Sequence, residues 1–252
     1  MFRSHITLDG NQNQTIHKSS LLLYNKIAEQ YCDFQILEKI KSLIPEHVTQ
    51  LNEDNKIKSL LGWFKDDFMS WTPKDPICRR CMDEGHGSLP MQVRVVSGSS
   101  WKLRAMEIHK CNKCSYEYTF PRYGQILKIA EARTGRCSEW SMLFGGVMNA
   151  LKIEARIVHD FLDHCWDEAM INGKWVHIDS TLEYPISLDH PHYYEQNWGK
   201  KYEYVLAFSK HAVEDVTQRY TQNWDAVIKR REGKKIILFQ GTFSNISLDS
   251  YF

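Results

Sequence analysis

The stretch that decides the reading is Thr134-Gly135-Arg136-Cys137-Ser138-Glu139-Trp140, which runs into apolar residues at 140, 143, 144, 147, 148 and 151. That spacing belongs to an amphipathic helix, and it puts Cys137 at the helix start. Unpaired N–H groups and the positive end of the helix dipole favour a thiolate there, the form of sulfur that attacks carbonyls. Gly135 lets the chain turn tightly into the helix. The plain alternative is a buried helix cysteine, a common fate for this residue type; a place at the helix mouth favours the nucleophile.

Downstream, Asp163-His164-Cys165-Trp166-Asp167-Glu168-Ala169-Met170 and Lys174-Trp175-Val176-His177-Ile178-Asp179 flank Asn172-Gly173, the signature of a two-residue β-hairpin turn. A turn of that length pairs Trp166 with Asp179 and His164 with Thr181, making His164 and Asp179 diagonal neighbours on one face. An acid so placed can orient an imidazole toward a nucleophile. Parity sends Cys165 to the other face, which argues against it as the nucleophile. His159 and His177 are rival bases; His177 shares the face but pairs with Glu168, and a strand histidine is more often a packing residue.

Upstream, apolar residues recur at helical spacing from Ser19 to Leu61, and the pattern continues until Thr72-Pro73 and Asp75-Pro76 stop it. Residues 77 to 120 change character, with glycine and cysteine turns around two β-rich runs, Gln92 to Val96 and Ala105 to His109. Cys78-Arg79-Arg80-Cys81 and Cys111-Asn112-Lys113-Cys114 are two CxxC knuckles 29 residues apart. Four thiolates close a tetrahedral shell, so the pattern predicts one structural Zn2+ held by Cys78, Cys81, Cys111 and Cys114. His86 and His109 lie nearby as substitute ligands, and ordinary buried thiols or a redox pair are the alternatives. Further on, short strand-like runs fall at 155 to 161, 164 to 170, 174 to 179, Tyr204 to Phe208 and Ala212 to Val216, with a short helix at Asn223 to Arg231.

Four regions follow: an N-terminal helical region over 1–72, a zinc-binding insert over 73–122, a catalytic core over 123–220, and a C-terminal helix and tail over 221–252, together one compact unit. The expected class is α+β. With 252 residues and 42% hydrophobic composition the chain can build a substantial core. Its 32 basic and 31 acidic residues leave a formal charge of +1, so no global field favours nucleic acid or an anionic membrane. The basic residues of the insert lack interleaved aromatics for base stacking. No run approaches the roughly 20 apolar residues of a membrane span, and the start, MFRSHITLDGNQNQ, lacks the apolar stretch of a secretory signal. Seven cysteines, an odd number with two CxxC pairs, argue for reduced thiols. The sequons at Asn13 and Asn245 are read as chance, and the expected location is the cytoplasm or nucleus.

The ordered series GWFKDDFMSW, the two CxxC pairs, CNKCSYEYTFPRYG, EARTGRCSEW, DHCWDEA, WVHIDS, NWGKKYEYVLAFSK and DVTQRY resembles the cytosolic peptide:N-glycanases, from about Leu60 to Tyr220. The resemblance implies a transglutaminase-like, papain-like cysteine hydrolase core with N-terminal helices and an inserted β-rich subdomain that binds zinc through four cysteines. It implies the catalytic residues Cys137, His164 and Asp179, the same three that the hairpin argument reaches. By the same resemblance the four knuckle cysteines bind zinc, and Trp71, Trp166 and Glu183 contact substrate. The implied activity is hydrolysis of the asparagine–GlcNAc amide of misfolded N-glycoproteins through a thioester, turning asparagine into aspartate, in glycoprotein quality control and ER-associated degradation. Denatured N-glycoproteins with high-mannose glycans are the implied partners, with a proteasomal ubiquitin-receptor shuttle on the N-terminal helices. Rival readings on the same fold are a protein transglutaminase, a cysteine protease and a non-catalytic scaffold. The sequence departs from the family's usual pattern at Ser138, Ser141 and Cys165, where glycine, cysteine and valine are common, and over 180 to 197, where Leu182 stands in the usual place of a glutamate and Glu183 follows.

Overall fold

The computed structural model describes residue 16, residues 18–210 and residues 212–232. The expected start without a signal, both sequons and the end of the C-terminal tail lie outside the described residues.

The chain opens with helices α1 (Lys18–Gln30), α2 (Phe34–Lys41), α3 (Glu46–Thr49) and α4 (Glu53–Gly62), followed by a π-helical turn over Trp63–Phe68. Asp33 caps α2 by accepting from the backbone N–H groups of Gln35 and Ile36. A short strand β1 (Ser70–Trp71) leads through α5 (Arg79–Asp83) to a three-stranded antiparallel sheet, β2 (Met91–Ser100), β3 (Leu103–Cys111) and β4 (Glu117–Tyr123). The sequence reading found two of these three strands. The third, β4, sits at a sheet edge and pairs only with β3, a place where Pro121 is tolerated.

Then come α6 (Ile126–Ala132), β5 (Thr134–Gly135), the long helix α7 (Cys137–Ala150), β6 (Ala155–His159), β7 (Cys165–Ile171), β8 (Lys174–Ile178), α8 (Tyr193–Trp198), β9 (Leu206–Phe208), β10 (Val213–Asp215), α9 (Thr217–Tyr220) and α10 (Trp224–Arg231). Strands β10-β9-β6-β7-β8 form one antiparallel sheet. The β7–β8 register pairs Asp167 with Ile178 and Glu168 with His177, as the Asn172-Gly173 turn predicts, and both turn residues adopt positive φ.

Both faces of this sheet are covered, so its strands bury alternate side chains in two different cores. One face, with Ile157, Cys165, Ala169 and Phe208, packs under α7 and continues into Leu22, Ile27 and Phe64 of the N-terminal helices. The N-terminal helices and the sheet therefore share one core. The other face carries Val158, Trp166, Val205 and Ala207 against Tyr194, Tyr202 and Tyr220. A separate small core forms around Cys78, Cys81, Met91 and Cys111.

Candidate active site and metal centre

Cys137 is the first residue of α7, where the sequence places it. Gly135 is needed for space more than for flexibility: a Cβ there would stand 2.4 Å from the Cβ of Glu139. Glu139, at the third helical position, accepts a hydrogen bond from the Arg136 backbone N–H at 3.1 Å and so closes the first turn around Cys137. The parallel bridge of β1 to β5 pairs the backbone of Trp71 with that of Gly135, two residues before Cys137.

His164 lies just before β7 and Asp179 just after β8. Their side chains meet at 2.7 Å, Nε2 to Oδ2, on the face the hairpin parity predicts. With Nε2 engaged by the carboxylate, Nδ1 is the ring nitrogen left to serve Cys137, whose charge acts on the imidazole. Asp179 is held by more than His164. Tyr194 donates its hydroxyl to Oδ2 at 2.8 Å, and Thr181 donates its backbone N–H and hydroxyl to Oδ1 at 2.9 and 2.7 Å. His164 is positioned from behind by Asp160, whose Oδ1 accepts the backbone N–H groups of Leu162, Asp163 and His164. Lys200 holds Asp160 at 2.8 Å and also pairs with Asp163.

The charges follow from these contacts. A hydrogen bond from Cys165, and then the His164 imidazolium, hold the Cys137 thiol well below its ordinary range against the effect of burial. Burial alone would lower His164, but the Asp179 carboxylate and the sulfur of Cys137 raise it to about 10. Burial would raise Asp179, yet His164 and the Thr181 donor bring it to about 2. The site therefore rests as a thiolate–imidazolium pair backed by a carboxylate. The two rival histidines differ sharply from this. Burial lowers both His159 and His177 to about 4, so each is neutral near pH 7. His177 donates Nε2–H to the Tyr194 hydroxyl at 2.6 Å and supports the triad from one step away.

The cleft residues divide. Trp71 is 49% exposed and packs edge-on against Trp140. Trp166 is buried, with the rings of Tyr194 and Tyr220 at 4.7 and 4.8 Å and that of His164 at 5.8 Å. The sheet's second core claims it, because both faces of β7 are covered. Trp198 also packs on the histidine, edge-on at 4.9 Å from the His164 ring, and is 44% exposed. Nothing but its membership of the NWGKK run marked Trp198 in the sequence. Glu183 is exposed and paired with Lys65 at 3.2 Å; Lys65 also donates to the carbonyl of Thr181 at 2.7 Å. Cys165 faces the other side of the sheet, as parity requires, in the core beneath α7, with the Tyr24 hydroxyl 3.4 Å from its sulfur.

The four knuckle sulfurs lie within 4.8 Å of one another. Bonds of about 2.3 Å from a tetrahedral zinc would space sulfurs by about 3.8 Å, and Cys78–Cys114 and Cys81–Cys111 stand at 3.5 and 3.6 Å. Four cysteines so placed fit a metal ion and leave no open position on it. His86 and His109 are not in the group: His86 lies beside Glu84, and His109 is buried between Glu107 and Tyr118. The insert is clamped to the nucleophile helix by buried charges. Glu139 binds Arg122 of β4 at 2.8 Å and Arg104 of β3, while Glu107 of β3 takes Arg136 at 2.6 and 2.7 Å and Arg122 at 3.1 Å.

Known proteins resemble this chain along most of the described span. The profile of the Transglutaminase-like superfamily matches residues 92–180, and that of the Rad4 transglutaminase-like domain matches 163–245. A peptide-N(4)-(N-acetyl-beta-glucosaminyl)asparagine amidase of Eremothecium gossypii is 39% identical over 176 residues, 67% of this chain and 48% of the relative. The proteins of the same name in Gallus gallus and Saccharomyces cerevisiae are each 38% identical, over 74% and 66% of this chain and 28% and 46% of their own lengths. The chain thus spans half or less of the curated relatives it matches. A solved Rad4-Rad23 complex bound to a 6-4 photoproduct UV lesion superposes with a TM-score of 0.54 at 14% identity, over 84% of this chain and 49% of that one, a likeness of fold alone.

Proposed function

The chain belongs to the transglutaminase-like superfamily and is homologous to the peptide-N(4)-(N-acetyl-beta-glucosaminyl)asparagine amidases, and from that premise we propose that it cleaves the asparagine–GlcNAc bond of denatured N-glycoproteins. The observation that carries this reading is the Cys137–His164–Asp179 constellation, built within the segment homologous to amidases.

The Cys137 thiolate attacks the side-chain amide carbon of a glycosylated asparagine. The developing oxyanion lies at the mouth of α7, where backbone N–H groups have no partner within the helix. The His164 imidazolium gives its proton to the departing amide nitrogen, so a glycosylamine leaves and a thioester to Cys137 remains. His164, now neutral, takes a proton from water; the hydroxide opens the thioester, aspartate forms and the thiolate returns. Asp179 keeps the ring oriented throughout. The exposed rings of Trp71 and Trp198 offer flat aromatic surface suited to the apolar side of a sugar ring, and Glu183 offers an exposed carboxylate.

Zinc in the four-cysteine site supplies cross-linking of the two knuckles; Cys78, Cys81, Cys111 and Cys114 hold it and the chemistry stays with Cys137. The wider reading places the protein in the cytoplasm or nucleus, acting in glycoprotein quality control and ER-associated degradation on high-mannose substrates. A proteasomal ubiquitin-receptor shuttle would dock on the N-terminal helices, where Phe34 is 74% exposed. Among the described residues no helix is long and apolar enough to cross a membrane.

The test is incubation of the purified chain with a denatured high-mannose glycoprotein beside its Cys137→Ala form. Release of intact glycan with conversion of the carrier asparagine to aspartate supports the amidase. Amine incorporation into glutamine, backbone cleavage, or no covalent change with either form would replace it by a transglutaminase, a protease or a scaffold.

A further inference from the structure

Lys200 draws its ammonium out of water, which is costly unless the charge is paired. Its side chain is only 9% exposed, while Lys201 beside it is exposed. Two carboxylates receive it: Asp160, fully buried, at 2.8 Å, and Asp163, half-exposed. Both belong to the turn that joins β6 to β7, and that turn is a closed unit. The Asp160 backbone N–H donates to the carbonyl of His164 at 3.2 Å, and its Oδ1 accepts the backbone N–H groups of Leu162, Asp163 and His164 at 2.9 to 3.0 Å. Oδ2 takes the ammonium. Both reacting groups meet this turn: it ends in His164, and the carbonyl of Asp163 stands 3.7 Å from the sulfur of Cys137.

The main chain of Lys200 faces a second element. Gly199 turns the chain at a φ of 64°, and the Lys200 backbone N–H then donates to the carbonyl of Tyr194 at 3.3 Å, closing the end of α8. Helix α8 sets two rings on the imidazole, Tyr194 at 5.1 Å and Trp198 at 4.9 Å. One residue therefore joins α8, through its backbone, to the turn that carries the base, through its side chain.

We propose that Lys200 is a positioning residue for the hydrolysis: by clamping Asp160 and Asp163 it locks the 160–164 turn to α8 and holds the His164 imidazole at the angle that serves Cys137. A compact ammonium on a flexible stem suits two carboxylates at different depths. Burial would raise Asp160, yet the Lys200 ammonium brings it below the ordinary carboxylate range, so the pair is ionised near neutral pH. Without the ammonium Asp160 is a lone buried charge or takes up a proton, and in both cases the turn loses its tie to α8. Misplacing a reacting group by about 1 Å costs on the order of a hundredfold in rate.

The turnover readout of this proposal rests on the amidase reading, whereas a second readout, alkylation of Cys137 by iodoacetamide, needs no glycoprotein. The metal-loaded full chain is compared with its Lys200→Met form, which keeps the apolar stem, after a thermal melt and metal analysis have established folding. The expected result is a fall in kcat of about a hundredfold with KM changed by less than about twofold, and alkylation at pH 7 slowed by about tenfold. A folded Lys200→Met protein with unaltered alkylation and kcat, or with its loss confined to KM, would overturn the proposal. Should that variant not fold, combining it with Asp160→Asn removes both buried charges, and the same two losses are expected; full rates in the double form would equally overturn it. If the unaltered chain releases no glycan, the amidase reading falls and the alkylation rates still decide the role of Lys200.

Discussion

The molecule keeps two groups of thiols, and they sit at opposite ends of sulfur chemistry. In the insert, Cys78, Cys81, Cys111 and Cys114 come from two CxxC knuckles and face one another, so a shared cation would compensate any thiolate there. At the head of α7, Cys137 is compensated by the His164 imidazolium and a donated hydrogen bond from Cys165. The first arrangement is closed on all sides and the second has one open side. What separates a structural sulfur from a reactive one here is where the compensating charge sits, because burial alone raises a thiol's pKa wherever it acts. The two groups are joined through Glu107 and Glu139, whose buried pairs with Arg104, Arg122 and Arg136 tie the insert sheet to the first turn of the nucleophile helix.

Swapping a cysteine in each group is the sharpest way to break the comparison. Cys137→Ala should abolish glycan release, a fall of about ten-thousandfold or more, while metal content and melting temperature stay near those of the unaltered chain. Cys81→Ala should do the reverse in kind: metal content collapses and the thermal transition drops, with activity lost only as the fold is lost. Elemental analysis beside a thermal melt separates the two. A Cys81→Ala protein that kept its metal and its melting temperature would end the distinction.

Asp179→Asn is the next largest, with turnover expected to fall by about a hundredfold to ten-thousandfold. The pH profile says why. A lowered Cys137 pKa means that the thiolate persists as pH falls below the ordinary thiol range, and a raised His164 pKa means that the imidazolium persists until pH climbs through about 10. Alkylation of Cys137 should therefore be fast at neutral pH, and turnover should fall on the alkaline side near pH 10. Since Asp179 helps to hold the proton on His164, its loss should move that alkaline edge toward lower pH. An unmoved edge in Asp179→Asn would separate the carboxylate from the imidazole.

Glu139→Gln probes the tie between the two thiol groups. Its carboxyl is brought to about 2, against burial, by Arg122 and Arg104. Substitution leaves two largely buried guanidinium groups with one fewer anion, which should destabilise by about 3 kcal/mol, or roughly 6 to 12 °C in melting temperature. The metal should remain bound, because none of the four sulfurs touches Glu139. Metal loss in this variant would show that the clamp supports the knuckles as well as the helix.

Much of the site was legible because local rules bore on it directly. The Asn172-Gly173 turn sets the β7–β8 register, and that register sets the diagonal of His164 and Asp179. The CxxC spacing predicts the four-sulfur group, and the place of Cys137 at the helix start follows from helical periodicity. Long-range packing was not legible. Nothing local shows that a second core encloses Trp166 or that α7 lies on the Cys165 side of the sheet. Tyr194 and Trp198 belong to α8, inside a stretch whose proline and polar residues read as a loop. Local pattern carries no information on which loop folds back over a histidine.

Tyr194→Phe should have the smallest effect and tests whether α8 does more than cover the site. The hydroxyl is one of four donors on Asp179, and the ring packs on Trp166 at 4.7 Å and against His164 at 5.1 Å. Phenylalanine keeps the ring and removes the donor, while Asp179 retains His164 and both Thr181 donors. Loss of one such bond to a charged acceptor costs about 1.5 kcal/mol, so kcat should fall by roughly tenfold, with KM unchanged because the hydroxyl faces Asp179 and not the cleft. The variant also frees the Nε2–H of His177, whose low pKa keeps it from taking over as a cation near neutral pH. A fall beyond about a hundredfold would mean that the His177–Tyr194–Asp179 chain acts as one unit with the triad, whereas no change in kcat would leave Thr181 sufficient to hold the carboxylate.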